Sequence, residues 1–188
     1  MNLMIKTDTL RSDMQRDFTT TTADVLSYAI ADCELGKVLV ARSDKGVCCI
    51  LLGDDAEELR ADLAKRFPRS MLVASEAMVR DDMAKVLRYI AKPSDGLHLT
   101  LDMRGTPFQR RVWEKLKAIS VGRTVSYMEL AKWINPLANA RAVAGACAAN
   151  PIALAIPCHR VVRSNGDLAG YRWGIERKRE LIQKEAMA

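Results

Sequence analysis

From residue 25 onward the apolar positions fall into three short runs, residues 25–31, 37–41 and 47–52. Glu34-Leu-Gly36 and Asp44-Lys-Gly46 separate them. Runs of this length joined by Gly-containing turns predict antiparallel hairpins. The period then changes. Asp54 and Asp55 stand where a helix cap is expected, opening a helix that runs to about Phe67 and stops at Pro68. A second helix fits residues 76–91 and breaks at Lys92-Pro-Ser-Asp-Gly96. Residues 23–95 therefore predict a small α/β domain with an antiparallel sheet. Residues 1–22 are polar, with Thr19 to Thr22 in succession, and are expected to form a loosely ordered arm.

Residues 96–188 read as a mostly α domain. Thr106-Pro107 puts Pro at a first helical position, and Phe108, Val112, Trp113 and Leu116 fall on one face. Ser126, with Glu129 three residues on, forms a capping-box pattern, and its helix ends near Ile134, before Asn135-Pro136. A third helix fits residues 139–148, built of small residues around Arg141. Two helices joined by a short turn, the second carrying one Arg, match a helix-turn-helix, although packed helix pairs of other kinds share that spacing.

The 49% hydrophobic and 28% charged content is that of a globular chain, and 188 residues allow one domain or two small ones. No apolar run approaches a membrane span, and the N-terminal residues lack a signal-peptide pattern, so a cytoplasmic protein is expected. Five cysteines, an odd number with none in C-x-x-C spacing, argue against a disulfide framework and a zinc site. With only His98 and His159 there is little to build a metal triad from, and neither metal nor cofactor is expected. The net charge of +6 is uneven: residues 101–188 hold 15 Lys and Arg against 7 Asp and Glu, residues 1–100 hold 14 against 16. The basic excess of the C-terminal half points to a polyanion partner.

One stretch carries chemistry. After Asn150, residues 151–157 are an apolar approach ending in Pro157, followed by Cys158, His159 and Arg160 and then Val161 and Val162. A thiol becomes a strong nucleophile as its thiolate, which cationic or hydrogen-bonding neighbours favour. A turn after Pro157 would bring Cys158 and His159 together, directly or through a water. The competing reading is a buried small hydrophobe, the usual fate of a cysteine. Placing one of two histidines beside it weakens that reading.

The segment Ile156-Pro-Cys-His-Arg-Val-Val162 resembles the active-site signature of the O6-methylguanine-DNA methyltransferase family. So do Pro107-Phe-Gln109 with Val112-Trp113, Gly122-Arg-Thr-Val-Ser-Tyr127, Ala140-Arg-Ala-Val143, Ala149-Asn-Pro151 and Gly170-Tyr171 with Gly174, in family order and spacing. The likeness runs from about residue 25 to 185 and is strongest to the C-terminal half of Ada-type members.

That resemblance implies a protein that extrudes O6-alkylguanine from double-stranded DNA and moves the alkyl group irreversibly onto Cys158, once per molecule. It implies minor-groove binding by the helix-turn-helix, with Ala140, Ala142, Ala144, Gly145 and Ala146 permitting close approach. Arg141 matches the arginine finger that fills the gap left by the flipped base, and Tyr127 the tyrosine that crowds the 3′ phosphate. Asn150 matches the hinge between the recognition helices and the active-site turn. His159 and Glu185 match a Cys–water–His–Glu relay. Tyr171 matches a hydrogen-bond donor to the guanine, and Val161 and Val162 contribute backbone contacts and a pocket wall. A monomer is expected.

Two departures stand out. The turn between the recognition helices is Ile134-Asn-Pro-Leu137, with Pro one position earlier than in the family, and no cysteine cluster replaces the zinc-binding segment of Ada. Two other classes remain open on sequence: a non-catalytic protein that recognises alkylated bases, disfavoured by the presence of Cys158, and a cysteine hydrolase using Cys158 and His159.

Overall fold

The computed structural model describes residues 24–135 and 138–188. The N-terminal arm, and Pro136 and Leu137 of the departing turn, lie outside the described residues. Three strands, β1 (Val25–Cys33), β2 (Gly36–Ser43) and β3 (Gly46–Gly53), form an antiparallel meander. Helix α1 (Ala56–Arg66) starts where Asp55 accepts a hydrogen bond from the Glu58 amide at 2.9 Å. It leads into β4 (Met71–Ala74), and α2 (Glu76–Ala91) follows.

The sheet order is β3-β2-β1-β4, and β4 pairs with β1 in parallel. The sheet is thus mixed, not purely antiparallel as the hairpin pattern predicts. The reason lies in the connection. A helix between β3 and β4 returns the chain in its original direction, whereas a tight turn would reverse it. β3 runs parallel to β1, so β4 does too.

The second part holds α3 (Pro107–Lys117), β5 (Val125–Ser126), α4 (Tyr127–Ile134), α5 (Ala140–Ala148), β6 (Val161–Val162) and α6 (Ile175–Ala186). Both expected helix starts are realised in full. Thr106 and Gln109 exchange bonds of 3.2 and 2.9 Å, and Ser126 and Glu129 bonds of 3.1 and 2.7 Å, each pair closing a capping box. Asn139 caps α5 by accepting from the Ala142 amide at 2.7 Å. Trp113, buried on α3, donates its indole N–H to the Ala146 carbonyl at 2.9 Å and so locks α3 to α5. Among the described residues no helix is long and apolar enough to cross a membrane.

The two parts share one core, continuous from Leu26 to Leu181. Strand β3 is the seam. One edge pairs with β2, and the other is bonded to the second part. The Val47 amide donates to the Thr100 carbonyl and the Asp102 amide to the Val47 carbonyl, both at 2.8 Å. The Ile50 amide donates to the Pro151 carbonyl and the Ala153 amide to the Ile50 carbonyl, both at 3.0 Å. The outer edge of β3 is thereby covered. Gly46 permits the approach: its φ is +142°, and a Cβ would lie 2.4 Å from the Thr100 carbonyl oxygen.

Candidate active site

Asn150, wholly buried at the end of α5, organises the segment that follows it. Its side-chain oxygen accepts from the Ile152 amide at 2.9 Å, and its Nδ2 donates to the Ile156 carbonyl at 2.8 Å and to Cys158 Sγ at 3.3 Å. Its own amide donates to the Cys147 carbonyl at 3.2 Å. One side chain therefore closes the loop 150–158 and ties the thiol to α5. Leu154, at φ +67°, is the one non-glycine residue with positive φ among those described, and it sits inside this loop. Cys158, His159 and Arg160 form a single 3-10 turn, so the turn expected after Pro157 is present.

Cys158 is buried, 6% exposed, on a cavity of about 390 Å³ lined also by Tyr127, Ala144, Cys147, Gly170 and Tyr171. Burial pushes its thiol above the ordinary cysteine value, while the Asn150 hydrogen bond and the Lys178 charge act the other way. The resting group is a thiol, and forming its thiolate needs a base.

His159, next on the turn, does not line that cavity. Its Nε2 lies 2.7 Å from Glu185 Oε1, and its Nδ1 is buried with no hydrogen-bond partner among the described residues. Burial holds the imidazole below the ordinary histidine value, with the Glu185 carboxylate opposing. Neutral His159 that donates from Nε2 to Glu185 leaves Nδ1 as a free acceptor. Burial alone would raise the Glu185 carboxyl, but bonds from His159, Arg160 and Tyr89 hold it well below the usual carboxylate range.

Sequence reasoning missed three residues of this cluster. Arg160 donates from Nε to Glu185 Oε2 at 2.7 Å, from Nη2 to Glu185 Oε1 and to the Tyr89 hydroxyl at 3.0 Å each, and from Nη1 to the Ile119 carbonyl. Tyr89, on α2, donates its hydroxyl to Glu185 Oε1 at 2.6 Å. Lys178 is fully buried on α6, donating to the Val161 carbonyl at 2.6 Å and the Ala169 carbonyl at 3.3 Å. A signal existed for Lys178. On a helix it shares a face with Leu181 and Glu185, the face turned to the core.

The other expected site residues separate into two groups. Tyr171 lines the cavity with its hydroxyl buried and unpartnered among the described residues, its ring edge-on to His159 at 6.4 Å. Tyr127, first residue of α4, lines it too, its phenol pushed up to about 12 by burial. Val161 and Val162 instead form β6 beside β5, and neither lines this cavity. On α5, Arg141, Ala142 and Gly145 are exposed and Ala140 and Ala144 half-buried, whereas Ala146 is buried in the core and, contrary to expectation, is not on the outward face. A Cβ at Gly145 would meet nothing within 4 Å, so packing within the chain does not require glycine there. Among the described residues there is no group of three or more His, Cys, Asp and Glu able to hold a metal ion.

Comparison with known proteins gives these features a family. Residues 107–187 match the family described as 6-O-methylguanine DNA methyltransferase, DNA binding domain. The chain is 48% identical over 159 residues to the bifunctional transcriptional activator/DNA repair enzyme Ada of Escherichia coli, covering 85% of this chain and 45% of that protein. It thus spans less than half the length of the Ada relatives it matches. The inducible methylated-DNA–protein-cysteine methyltransferase of Bacillus subtilis is 35% identical over 162 residues, 86% of each chain. Among solved structures, Mycobacterium tuberculosis O6-methylguanine methyltransferase superposes with a TM-score of 0.67 at 31% identity, covering 86% of this chain and 93% of that one. The OGT of the same organism in complex with DNA gives 0.69 at 30% identity with the same coverage. With relatives matched over most of both chains at this identity, the chain belongs to the O6-methylguanine-DNA methyltransferase family.

Proposed function

We propose that this chain repairs DNA directly, rotating an O6-alkylguanine out of the duplex and transferring the alkyl group irreversibly to Cys158. The carrying observation is the Cys158 thiol on a small cavity, held by Asn150, with the His159–Glu185 pair behind it. The proton leaves Cys158 through one water to His159 Nδ1, and Glu185 steadies the imidazolium through Nε2–H. The thiolate attacks the alkyl carbon and the carbon–oxygen bond breaks, its electron pair going to the guanine. The negative charge on the guanine accepts a hydrogen bond from the Tyr171 hydroxyl and is neutralised by one proton, balancing the one His159 took from Cys158. The product is a thioether. Each molecule acts once, because the carbon–sulfur bond of a thioether resists hydrolysis, and the transfer itself needs no cofactor.

In this reading α4 and α5 form the helix-turn-helix, and α5 lies in the minor groove of double-stranded DNA. Gly145 supports it. A glycine inside a helix costs roughly 1 kcal/mol relative to alanine, and nothing among the described residues asks for one here. A surface pressed against the groove does. Arg141 fills the vacated stack, Tyr127 crowds the phosphate, and Ala140 and Ala142 keep the helix thin. Val161 and Val162 act through backbone contacts and as the outer wall around the base. Residues 96–188 bind DNA and accept the alkyl group, residues 23–95 support them, and the chain works as a monomer.

Intact-mass measurement after mixing with excess duplex carrying one O6-methylguanine tests the function. The expected result is a gain of one methyl in place of hydrogen, mapped to the Cys158 peptide and saturating at one per chain. Binding of the lesion duplex with no mass gain would overturn transfer in favour of damage recognition. The finger role has its own test. Because extruding a base costs a few kcal/mol, Arg141→Ala should slow methyl transfer from duplex DNA by about tenfold or more while leaving reaction with the free modified base nearly unchanged. Equal losses on both substrates would remove Arg141 from that role.

A further inference from the structure

We propose that Tyr89 is a positioning residue that sets the basicity of His159 by competing with it for one oxygen of Glu185. The proposal rests on the relay reading above. Glu185 Oε1 receives three donors: the Tyr89 hydroxyl at 2.6 Å, His159 Nε2 at 2.7 Å and Arg160 Nη2 at 3.0 Å. Oε2 receives only Arg160 Nε, at 2.7 Å, among the described residues. A carboxylate offers about four lone-pair sites over its two oxygens. Three donors on one oxygen therefore share its charge, and each weakens the others.

The groups facing His159 are Glu185 and Lys178 from α6, Arg160 and Cys158 from its own turn, Tyr171 from the loop before α6, and Tyr89 through Glu185. Burial, and to a smaller extent the positive charges of Arg160 and Lys178, favour the neutral imidazole, while Glu185 draws a proton to it. Tyr89 is the member whose hydroxyl can be removed without removing a charge. The ring is 2% exposed, and phenylalanine would fill the same space, so packing alone does not call for the hydroxyl. Burial and the Glu185 charge push this phenol far above the ordinary tyrosine range, which keeps it a donor at every working pH. Arg160 cannot move over to replace it, because its Nε bond to Oε2 and its Nη1 bond to the Ile119 carbonyl fix the guanidinium at both ends.

Tyr89 also comes from α2, in the first part of the chain. The helix that packs on the sheet thus sets how strongly the relay base holds its proton.

The test is Tyr89→Phe in the full chain, read by NMR at His159, with His98, the other of the two histidines, as internal control. Losing one donor from Oε1 strengthens the His159–Glu185 bond. The Nε2–H resonance should move downfield, and the protonation of His159 should shift to higher pH by about half a unit or more. The acid limb of single-turnover methyl transfer should shift by the same amount, with the plateau rate falling less than about tenfold. A fluorinated tyrosine at position 89, a stronger donor, should move the resonance and the limb the opposite way. A structural role would lower the plateau and leave the limb and the resonance where they are, and that outcome overturns the proposal. The NMR readout does not depend on alkyl transfer, so it separates failure of this tuning from failure of the proposed reaction.

Discussion

Cys158→Ala protein mixed with excess O6-methylguanine duplex is expected to gain no mass and to bind that duplex within a few-fold of the unaltered chain. Asn150 still bonds the Ile152 amide and the Ile156 carbonyl, so loop and helix ends stay in place without the thiol. Cys147 shares the cavity and is the obvious substitute acceptor. Burial drives its thiol far above the ordinary cysteine range, and the Asn150 amide that steadies Cys158 Sγ is turned toward that sulfur instead. It should stay silent. The measurement is intact mass alongside fluorescence anisotropy on labelled duplex. A methyl group mapped to Cys147 would move the acceptor and undo the assignment.

Glu185→Gln is expected to damage both folding and chemistry. Among the described residues the carboxylate is the sole anion bonded to Arg160, a guanidinium 6% exposed. Removing one partner of a buried pair costs about 3–5 kcal/mol, because the charge left behind is uncompensated. Denaturant unfolding reads that loss. The transfer rate in the surviving folded protein should drop by roughly 10²–10⁴, the range of a lost acid–base contribution. A stability unchanged within about 1 kcal/mol would show that Arg160 finds other partners.

The same cluster shapes the unaltered protein's response to acid. His159 and Glu185 are both held below their ordinary values of 6.5 and 4.5, so the unfolded chain binds their protons more readily than the folded one. Their contribution to stability is complete above about pH 6.5. It erodes as pH falls below that value, through His159, and again below 4.5, through Glu185. The second erosion should be missing from Glu185→Gln.

What the sequence reveals of this fold depends on how local the chemistry is. Asp55, Thr106, Ser126 and Asn139 announce their helices because a cap is satisfied by residues three positions away, inside any reading window. The hairpins of β1 to β3 are equally plain. Strand β4 is not: four residues, three of them exposed, on a sheet edge, with no alternation to see. Its parallel pairing with β1 is a long-range fact that no local pattern encodes. The two-residue strands β5 and β6 are hidden for the same reason.

The site divides in a similar way. Cys158 and His159 lie side by side and are readable as one group, whereas Asn150 and Glu185 enter only through family likeness. Arg160 and Tyr89 escape notice because a buried charge and a buried phenol look like any others in a sequence. What marks them is a partner 25 or 96 positions away along the chain.

The bonding of β3 on both edges has a consequence for engineering. A cassette cut at residue 96 and grafted onto another scaffold would carry Cys158, the His159–Glu185 pair and helices α4 and α5. It would not carry Val47 and Ile50, whose backbone groups anchor Thr100, Asp102, Pro151 and Ala153. Among the described residues, the loop that presents Cys158 would then keep the Asn150 side-chain bonds but lose those to β3. A portable version has to bring along one strand, or a host whose own sheet offers a vacant edge at the same height.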